Sequence, residues 1–195
     1  MTNRRQEILE KARKFFSEKS FHAVSLEDIT RSLGMGKSTM YHYFPTKKDL
    51  ITEVLKESAS ELYKRVNNHI DRSKPIKDQI KSLISAILYY YEENEEAFLL
   101  IYRERLDFLN LGEIKDQFDA NFKTEYDQFF DHFYAMVEQG KKEGYLLDVD
   151  SSVILANIFG TINVLTLRAI SRHSKVKLTD MIDDCCKVIM HGICL

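Results

Sequence analysis

Residues 25–50 read SLEDITRSLGMGKSTMYHYFPTKKDL, and this stretch decides the fold of the N-terminal part of the chain. It contains two short helical patterns joined by a tight turn at Leu33-Gly34-Met35. The run Tyr43-Phe44-Pro45 closes the second pattern, and Thr46 begins a further helix. Two short helices that cross rigidly, with a glycine at the bend and a second helix small enough to enter a major groove, are typical of a helix-turn-helix.

The segment before this stretch carries the apolar stripe of another helix. Over residues 4–19 the apolar side chains recur at i, i+1, i+4, i+7 and i+8, and they are Ile8, Leu9, Ala12, Phe15 and Phe16. Ser25 is then a candidate N-cap, with Asp28 at the third position in a capping-box spacing. These features predict a three-helix head in residues 1–50, the first of two predicted domains, and a second domain in residues 51–195.

Residues 1–50 resemble the DNA-binding domain of the TetR family of bacterial regulators. The residues that carry the resemblance are Arg5, Ile8, Leu9, Ala12, Phe15, Phe16, Phe21, Ser25, Leu26, Glu27, Asp28, Ile29, Gly34, Lys37, Thr39, Tyr41, Tyr43, Phe44, Lys47 and Leu50. Gly36 stands where the family usually has serine, and Ser38 stands where it usually has glycine. Glycine is an acceptable N-cap, so the helix start is kept, whereas no base preference is carried over.

The rest of the chain reads as helical throughout. Ile76, Ile80, Leu83, Ile84, Ile87, Leu88 and Tyr91 repeat at the helical period. Further helical patterns cover 95–109, 113–139, 151–172 and 179–193, and no alternating strand pattern is present. The predicted fold is all-α, an N-terminal helix-turn-helix domain joined to a helical ligand-binding and dimerisation bundle, with about nine helices in total.

Charge is distributed unevenly along the chain. Residues 1–50 contain 10 basic and 6 acidic residues, whereas the remainder contains 18 basic and 24 acidic residues. A basic N-terminal unit on an acidic body favours contact with nucleic acid at one end only. Solvated helix faces of random sign would give the same numbers, so the charge supports the motif rather than standing alone.

The predicted DNA contacts lie in and around the third helix. Lys37, Ser38 and Thr39 stand at its start, while Tyr41, His42 and Tyr43 offer ring faces to thymine methyls or donors to phosphates. The resemblance implies that Lys47 contacts a phosphate and that Ser25 does so at the start of the second helix. The full predicted set is Ser25, Lys37, Ser38, Thr39, Tyr41, His42, Tyr43, Lys47 and Lys48.

Several of these residues have a structural alternative. Phe44 is interpreted as a core residue, and Tyr41 as both a core residue and a contact. His42 and Lys48 are equally consistent with solvent-facing positions that touch nothing. For a lysine that does contact a phosphate, its loss weakens binding to all sequences and lowers the salt slope by about 1.

The C-terminal helices predict self-association. A helix that is apolar all round must be covered twice, once by its own core and once by something else, and residues 151–193 fit a four-helix interface between two copies. The resemblance implies a homodimer that binds a palindromic operator in double-stranded DNA and a small molecule that changes this affinity. The alternative is that these helices form the centre of a large monomeric core.

The effector site is predicted from aromatic and polar residues of the body. An apolar cavity with a few polar groups is typical of small-molecule sites, and the candidate residues are Tyr91, Phe98, Tyr102, Phe122, Tyr126, Phe129, Phe133, Asn157 and Asn163. A lipophilic effector of unknown identity fits them better than a sugar or nucleotide. For each residue taken singly, ordinary packing of aromatics at helical spacing is the stronger interpretation.

No membrane span or secretion signal is predicted. Residues 153–170 are the most apolar stretch, but Asn157, Asn163 and Arg168 interrupt it, so an interface helix is the better interpretation. No apolar segment follows Met1-Thr2-Asn3-Arg4. The expected location is therefore the bacterial cytoplasm, with association to the nucleoid when the protein is bound to DNA.

No cofactor, metal site or enzyme active site is predicted. No phosphate-binding loop, HExxH or nucleophile elbow occurs, and His69, His132, His173 and His191 are scattered. Cys185, Cys186 and Cys194 lack the spacing of a zinc or thioredoxin motif, so they read as small core residues. Two alternatives to an effector-controlled repressor stay open, a regulator that responds to thiol oxidation at Cys185 and Cys186, and a DNA-binding protein without an effector.

Overall fold

The computed structural model describes residues 4–19, 21–107, 120–171 and 177–193, and within these the side chains of residues 104–107, 120, 122, 125, 126 and 193 are left out. This part of the chain forms nine α-helices and no strand. The helices are α1 Arg4–Glu18, α2 Leu26–Ser32, α3 Lys37–Tyr43, α4 Lys47–His69, α5 Ile76–Glu93, α6 Glu95–Asp107, α7 Ala120–Lys142, α8 Ser151–Ser171 and α9 Ile182–Ile193. Short 3-10 turns at Phe21–Ala23 and Thr179–Met181 precede α2 and α9. The prediction of an all-α fold is confirmed.

The chain divides into two compact units. One contains residues 1–60 together with 96–122, and the other contains residues 61–95 together with 123–195. The division falls inside α4, because this long helix leaves the N-terminal unit and continues into the second one. The predicted domain boundary after residue 50 stays a prediction.

The N-terminal unit is built on one apolar core shared by α1, α2, α3 and the start of α4. Each fully buried aliphatic or aromatic side chain in such a core contributes about 1.5–3 kcal/mol relative to exposure. The buried apolar residues between the start of α1 and Val54 are Ile8, Leu9, Ala12, Phe16, Val24, Leu26, Ile29, Met40, Phe44, Leu50, Ile51 and Val54. The stripe predicted for α1 therefore faces this core, except that Phe15 is only half-buried.

The second unit is a helical bundle in which α5, α8 and α9 pack on one another. The predicted α5 stripe is buried, namely Ile76, Ile80, Leu83, Ile84, Ile87, Leu88 and Tyr91. Pro75 lies at the N-cap of α5. Asp150 caps α8, since its carboxylate accepts from the backbone N–H of Ser152 at 2.8 Å.

One face of α8 belongs to the bundle core and the opposite face is exposed. Ile154, Leu155, Ile158, Ile162 and Thr166 are buried, whereas Val153 and Val164 are 59% and 62% exposed. By length and composition alone, α8 is also the one helix of the described chain that could cross a membrane. This is weak evidence, because core helices of other proteins pass the same test, and the inner face of α8 is packed in the bundle.

Candidate nucleic-acid interface

The turn between α2 and α3 has the geometry that glycine permits. Gly34 has a φ of 59°, in the left-handed region. Its N–H donates to the carbonyl of Arg31 at 3.2 Å, and the N–H of Met35 donates to the carbonyl of Thr30 at 3.1 Å. These two bonds form a Schellman motif, which satisfies the last carbonyls of α2 and sets the direction in which the chain enters α3.

The start of α2 is fixed by a complete capping box. The backbone N–H of Asp28 donates to Ser25 Oγ at 3.1 Å, and the backbone N–H of Ser25 donates to Asp28 Oδ2 at 3.2 Å. The Ser25 hydroxyl also donates to Asp28 Oδ2 at 2.6 Å. The hydrogen bonds from Ser25 lower the pKa of the Asp28 carboxyl. To donate to a phosphate, the Ser25 hydroxyl would therefore have to give up its hydrogen bond to Asp28.

Helix α3 has one buried face and one exposed face. Met40 is completely buried and Phe44, directly after the helix, is 3% exposed. The other side chains of α3 are exposed apart from Tyr43, which is half-buried and packs edge-to-face on His42. The exposed set is Lys37, Ser38, Thr39, Tyr41 and His42. Met40 thus anchors the helix, a role that the sequence analysis did not assign, and the predicted contact residues point away from the core.

Lys37 is held by a carboxylate of the preceding helix. Its Nζ donates to Glu27 Oε1 at 2.7 Å, and both side chains remain accessible to solvent. The hydrogen bond from Lys37, followed by its charge, lowers the pKa of the Glu27 carboxyl, while the same contact raises the pKa of Lys37. The two helices of the motif are therefore linked across their outer surface as well as through the core.

Lys47 occupies a more enclosed position than its resemblance-based role implies. Its Nζ donates to the backbone carbonyls of Phe21 at 2.8 Å and Val24 at 2.9 Å, and it lies 4.2 Å from the centroid of the Phe21 ring. An ammonium has three donors, so two of them hold the segment that leads into α2. The third N–H of the Lys47 ammonium group is left to donate to a phosphate. Lys48, next to it, is half-exposed.

Arg31 is a surface cation of the motif that the sequence analysis did not single out. Its side chain on α2 is 81% exposed, and its guanidinium lies 4.0 Å from Asp28. It influences the ionisation of Lys37 electrostatically, as does Tyr41. The sequence feature that could have identified Arg31 is its position four residues after Glu27, which places both side chains on one face of α2.

Ion pairs join α1 to α4 beneath the motif. Arg5 lies 3.0 Å from Glu53, and Arg13 lies 3.5 Å from Glu57. Burial raises the pKa of Glu57, and the charge of Arg13 opposes this effect. The Arg5 guanidinium also lies 5.4 Å from the centroid of the Phe44 ring, a cation–π distance. The end of α3 is in this way connected to the first helix.

The predicted effector residues fall into several environments. Tyr91, Phe129 and Phe133 are buried in the second unit, while Phe98 is buried on α6 and stacks on Tyr102 at a centroid distance of 5.4 Å. The candidate side chains of Phe122 and Tyr126 lie outside the described residues. Asn163 is half-buried. Asn157 is exposed on the outer face of α8, a position that fits a helix surface better than an interior cavity.

Three aromatic residues of α7, Phe129, Phe130 and Phe133, form a packed cluster. Phe129 stacks on Tyr63 at a centroid distance of 4.1 Å and meets Phe133 edge-to-face at 4.6 Å. Phe159 of α8 approaches Phe133 at 5.8 Å and Phe130 at 6.0 Å. Offset and edge-to-face contacts at such distances are favourable in protein cores. Packing accounts for these residues, and an effector would have to rearrange some of them.

The cysteines of α9 are poorly suited to redox sensing. Cys185 and Cys186 are both buried and are free thiols. Burial raises the pKa of the Cys185 thiol to about 11 and also raises that of Cys186. Because the thiolate is the reactive species, these thiols react slowly at neutral pH. Cys194 lies outside the described residues.

The remaining titratable residues do not gather into a site within the described chain. There, no group of three or more histidine, cysteine, aspartate or glutamate side chains is arranged to hold a metal ion. His69 and His191 are exposed, and His173 lies outside the described residues. Burial, with a smaller contribution from the charge of Arg72, lowers the pKa of the half-buried His132.

A helix-turn-helix with its second helix exposed above a tight core defines the class of DNA-binding regulators. A family model described as "Bacterial regulatory proteins, tetR family" matches residues 8–54, and one described as "Tetracyclin repressor-like, C-terminal domain" matches residues 55–191. The chain belongs to the TetR family, as its sequence predicted. It is therefore a DNA-binding transcriptional regulator and not an enzyme.

Individual relatives span most of the chain. The HTH-type transcriptional repressor KstR2 of Mycobacterium tuberculosis is 26% identical over 153 residues, 77% of this chain and 74% of that protein. The nucleoid occlusion factor SlmA of Vibrio atlanticus is 22% identical over 183 residues, 93% of this chain and 91% of that protein.

Solved structures share the fold. The ketosteroid transcriptional regulator KstR2 of M. tuberculosis superposes with a TM-score of 0.80 at 20% identity, covering 100% of this chain and 97% of that one. FadR of Bacillus subtilis in complex with stearoyl-CoA gives a TM-score of 0.72 at 17% identity, covering 96% and 98%.

Proposed function

We propose that this chain is a homodimeric repressor that binds a palindromic operator and is released from it by a small lipophilic molecule. The observation that carries the DNA-binding role is the exposed face of α3, which the buried Met40 and Phe44 anchor to the head. A short helix that is anchored in this way can present its side chains to a major groove from a fixed position. The basic N-terminal fifty residues add sequence-independent attraction to phosphates.

The proposed contacts divide by chemistry. Lys37, Lys48 and the third donor of Lys47 serve phosphates, and Ser25 supports them at the start of α2. The side chains assigned to base edges and to the groove wall are Ser38, Thr39, Tyr41, His42 and Tyr43. Phosphate contacts fix the register of the head on the duplex, whereas the α3 side chains after Lys37 select the sequence.

The homodimer is proposed to form through residues 151–193. The outer face of α8 carries Val153, Gly160 and Val164 in exposed positions, and Val188 of α9 is 70% exposed. Exposed apolar side chains that recur along one helix face mark an interaction surface. A two-fold pair formed there presents two recognition helices to half-sites about 34 Å apart, one turn of DNA.

The effector is proposed to be lipophilic because four of the candidate residues, Tyr91, Phe98, Phe129 and Phe133, are buried aromatics. The names of two relatives agree with this choice, since one is a ketosteroid regulator and another was crystallised with stearoyl-CoA. Such a ligand acts only by binding one conformation better than another, so it must favour a head spacing that does not fit the operator. The proposed role implies a cytoplasmic protein that associates with the nucleoid when it is bound to DNA.

The DNA-binding role is tested by fluorescence anisotropy against duplexes from around the protein's own coding region. We expect salt-sensitive binding that is selective for one palindromic duplex over a scrambled one. Tyr41→Ala should weaken this binding roughly tenfold, the cost of one lost specific contact. Tyr134→Ala is the matched control, because Tyr134 is similarly exposed, at 42% against 47%, but lies on α7. Unselective binding by the wild type, or equal affinity of the folded Tyr41 variant, would contradict the proposal.

A second candidate is a DNA-binding protein without a small effector. The motivation is that one relative is named as a nucleoid occlusion factor, a name that mentions no small molecule. The two functions separate in one experiment, in which steroid and long-chain acyl-CoA compounds are titrated into the protein–operator complex. Release from DNA supports the effector-controlled repressor. Stable binding in the presence of every compound, together with no thermal shift of the free protein, supports the second candidate.

A further inference from the structure

Glu27 and Lys37 form an ion pair on the surface that is proposed to face DNA. Lys37 is the first residue of α3 and Glu27 is the second residue of α2, and their side chains meet at 2.7 Å across the turn. Both are exposed, so nothing in the core requires the pair. An acidic side chain at this place opposes the binding of phosphates, because it repels the backbone of DNA.

The surroundings of the pair are cationic and aromatic. Glu27 raises the pKa of Lys37 through its hydrogen bond and its charge, and the charge of Arg31, one turn further along α2, opposes this rise slightly. Tyr41 is also close enough to Lys37 to interact with it electrostatically. Asp28 is the other nearby acid, and its carboxylate is engaged by Ser25 in the capping box. Glu27 is therefore the carboxylate that accepts the hydrogen bond from the Lys37 ammonium group in the free protein.

We propose that Glu27 is an internal competitor of DNA, a carboxylate that takes the place of a phosphate on Lys37 and that the duplex must displace. This inference rests on the proposed function and adds a determinant of its affinity. A carboxylate and a phosphate oxygen accept the same charge-assisted hydrogen bond from an ammonium. When the head docks, the Lys37 Nζ exchanges Glu27 for a phosphate, and Glu27 is left close to the DNA without that partner.

The exchange has two measurable consequences. The hydrogen bond between Lys37 and Glu27 is lost when DNA binds, and the released carboxylate repels the duplex. Both effects make the affinity for DNA lower than it would be if Glu27 were uncharged. Since phosphate contacts carry no sequence information, the penalty applies equally to operator and random DNA. The salt dependence is also weaker, because part of the charge of Lys37 is already neutralised before binding.

The test is a double-mutant cycle on the full-length protein with Glu27→Gln, Lys37→Gln and both together. Anisotropy titrations use the palindromic duplex and a scrambled duplex at several salt concentrations. We expect Glu27→Gln to tighten binding to both duplexes by the same factor, roughly two- to fivefold, and to steepen the salt slope by up to about 0.9. Lys37→Gln should weaken binding to both duplexes, and in that background the gain from Glu27→Gln should shrink.

Glu10→Gln is the control for net charge, because Glu10 is an exposed acid on α1 and its replacement changes the charge of the head equally. Circular dichroism and thermal unfolding establish that each variant is folded. Unchanged or weaker binding by Glu27→Gln overturns the inference, as does a gain that persists in the Lys37→Gln background or that is confined to the operator. Failure of the wild type to bind either duplex is a different result, which overturns the proposed function itself.

Discussion

Two lysines of the head, Lys37 and Lys47, have different surroundings although each was assigned to phosphate contact. Lys37 is exposed and pairs with one carboxylate. Lys47 donates to two backbone carbonyls that precede α2, at Phe21 and Val24. The first lysine can change its partner at little cost, because an exposed ion pair is weak. The second supports the motif, because its loss leaves two part-buried carbonyls without this donor.

Replacement of Lys47 is expected to destabilise the head as well as to weaken DNA binding. Lys47→Gln should lower the free energy of unfolding by about 1–3 kcal/mol, the cost of losing hydrogen bonds to carbonyls that are withdrawn from solvent. Urea denaturation followed by circular dichroism measures this change. Lys48→Gln is the matched control and should change stability by less than about 0.5 kcal/mol. Equal stability of the two variants would show that the carbonyl contacts of Lys47 are dispensable.

Gly34 is expected to resist replacement for a conformational reason alone. A Cβ at this position meets nothing within 4 Å, but its φ of 59° is unfavourable for other residues. Gly34→Ala should therefore cost about 1–2 kcal/mol, whereas Gly34→Asn should cost less, because asparagine adopts the left-handed region more readily. Thermal unfolding of the two variants measures the difference. An alanine variant as stable as the wild type would contradict the Schellman geometry.

At the scale of elements, the start of a helix is held either by a side chain far away in the sequence or by a local cap. The 3-10 turn before α9 is an example, because Glu92 of α5 accepts from both the backbone N–H and the hydroxyl of Thr179, at 2.9 and 3.1 Å. The α2 and α4 starts use local capping boxes instead, at Ser25 and at Thr46 with Asp49. Local caps follow from sequence spacing, but a cap supplied by another helix depends on how the bundle packs.

Removal of the Glu92 carboxylate is expected to loosen the start of α9. Glu92→Ala should lower the free energy of unfolding by about 1–3 kcal/mol, because the charge-assisted bonds to Thr179 are lost. Glu93→Ala, which removes the adjacent carboxylate and its exposed ion pair with Arg65, should cost no more than about 0.5 kcal/mol. Hydrogen exchange at the amides of α9 locates the effect. Unchanged protection of these amides in the Glu92 variant would show that Glu92 does not stabilise the start of α9.

At the scale of the whole molecule, the outer face of α8 carries apolar side chains that the described part of a single chain leaves exposed. The sequence predicted that α8 must be covered twice, and the structure covers it once, through α5 and α9. The exposed valines Val153, Val164 and Val188 remain. Burial of such side chains between two copies contributes about 25 cal/mol per Å² of apolar area, before the cost of association is counted.

Charged residues on this surface are expected to prevent dimerisation without unfolding the chain. Val164→Glu combined with Val188→Glu should shift sedimentation from dimer to monomer, since two like charges from each copy would be buried together. Each replaced side chain is exposed in the single chain, so helicity should be retained. Val149→Glu is the control, because Val149 is an exposed valine that precedes α8. A dimer that survives both charges would place the contact surface elsewhere.

The sequence by itself determined the helices, the helix-turn-helix and the family. These features depend on local periodicity, on caps within four residues and on Gly34, and such signals survive without knowledge of the tertiary packing. The buried stripes of α1 and α5 were predicted for the same reason. The exposed positions of Lys37, Thr39 and Tyr41 on α3 also agree with their assignment to a surface, although their contacts with DNA stay predictions.

Only the tertiary structure decided which polar groups meet. The pairs Glu27 with Lys37, Lys47 with the Phe21 carbonyl, and Glu92 with Thr179 are separated by 10, 26 and 87 residues. No local pattern encodes such contacts, because they depend on the crossing of helices whose order along the chain says little about their distance in space. The same reason explains Asn157, whose side of α8 faces outward, and Met40, whose burial appears only when α3 is packed on the head.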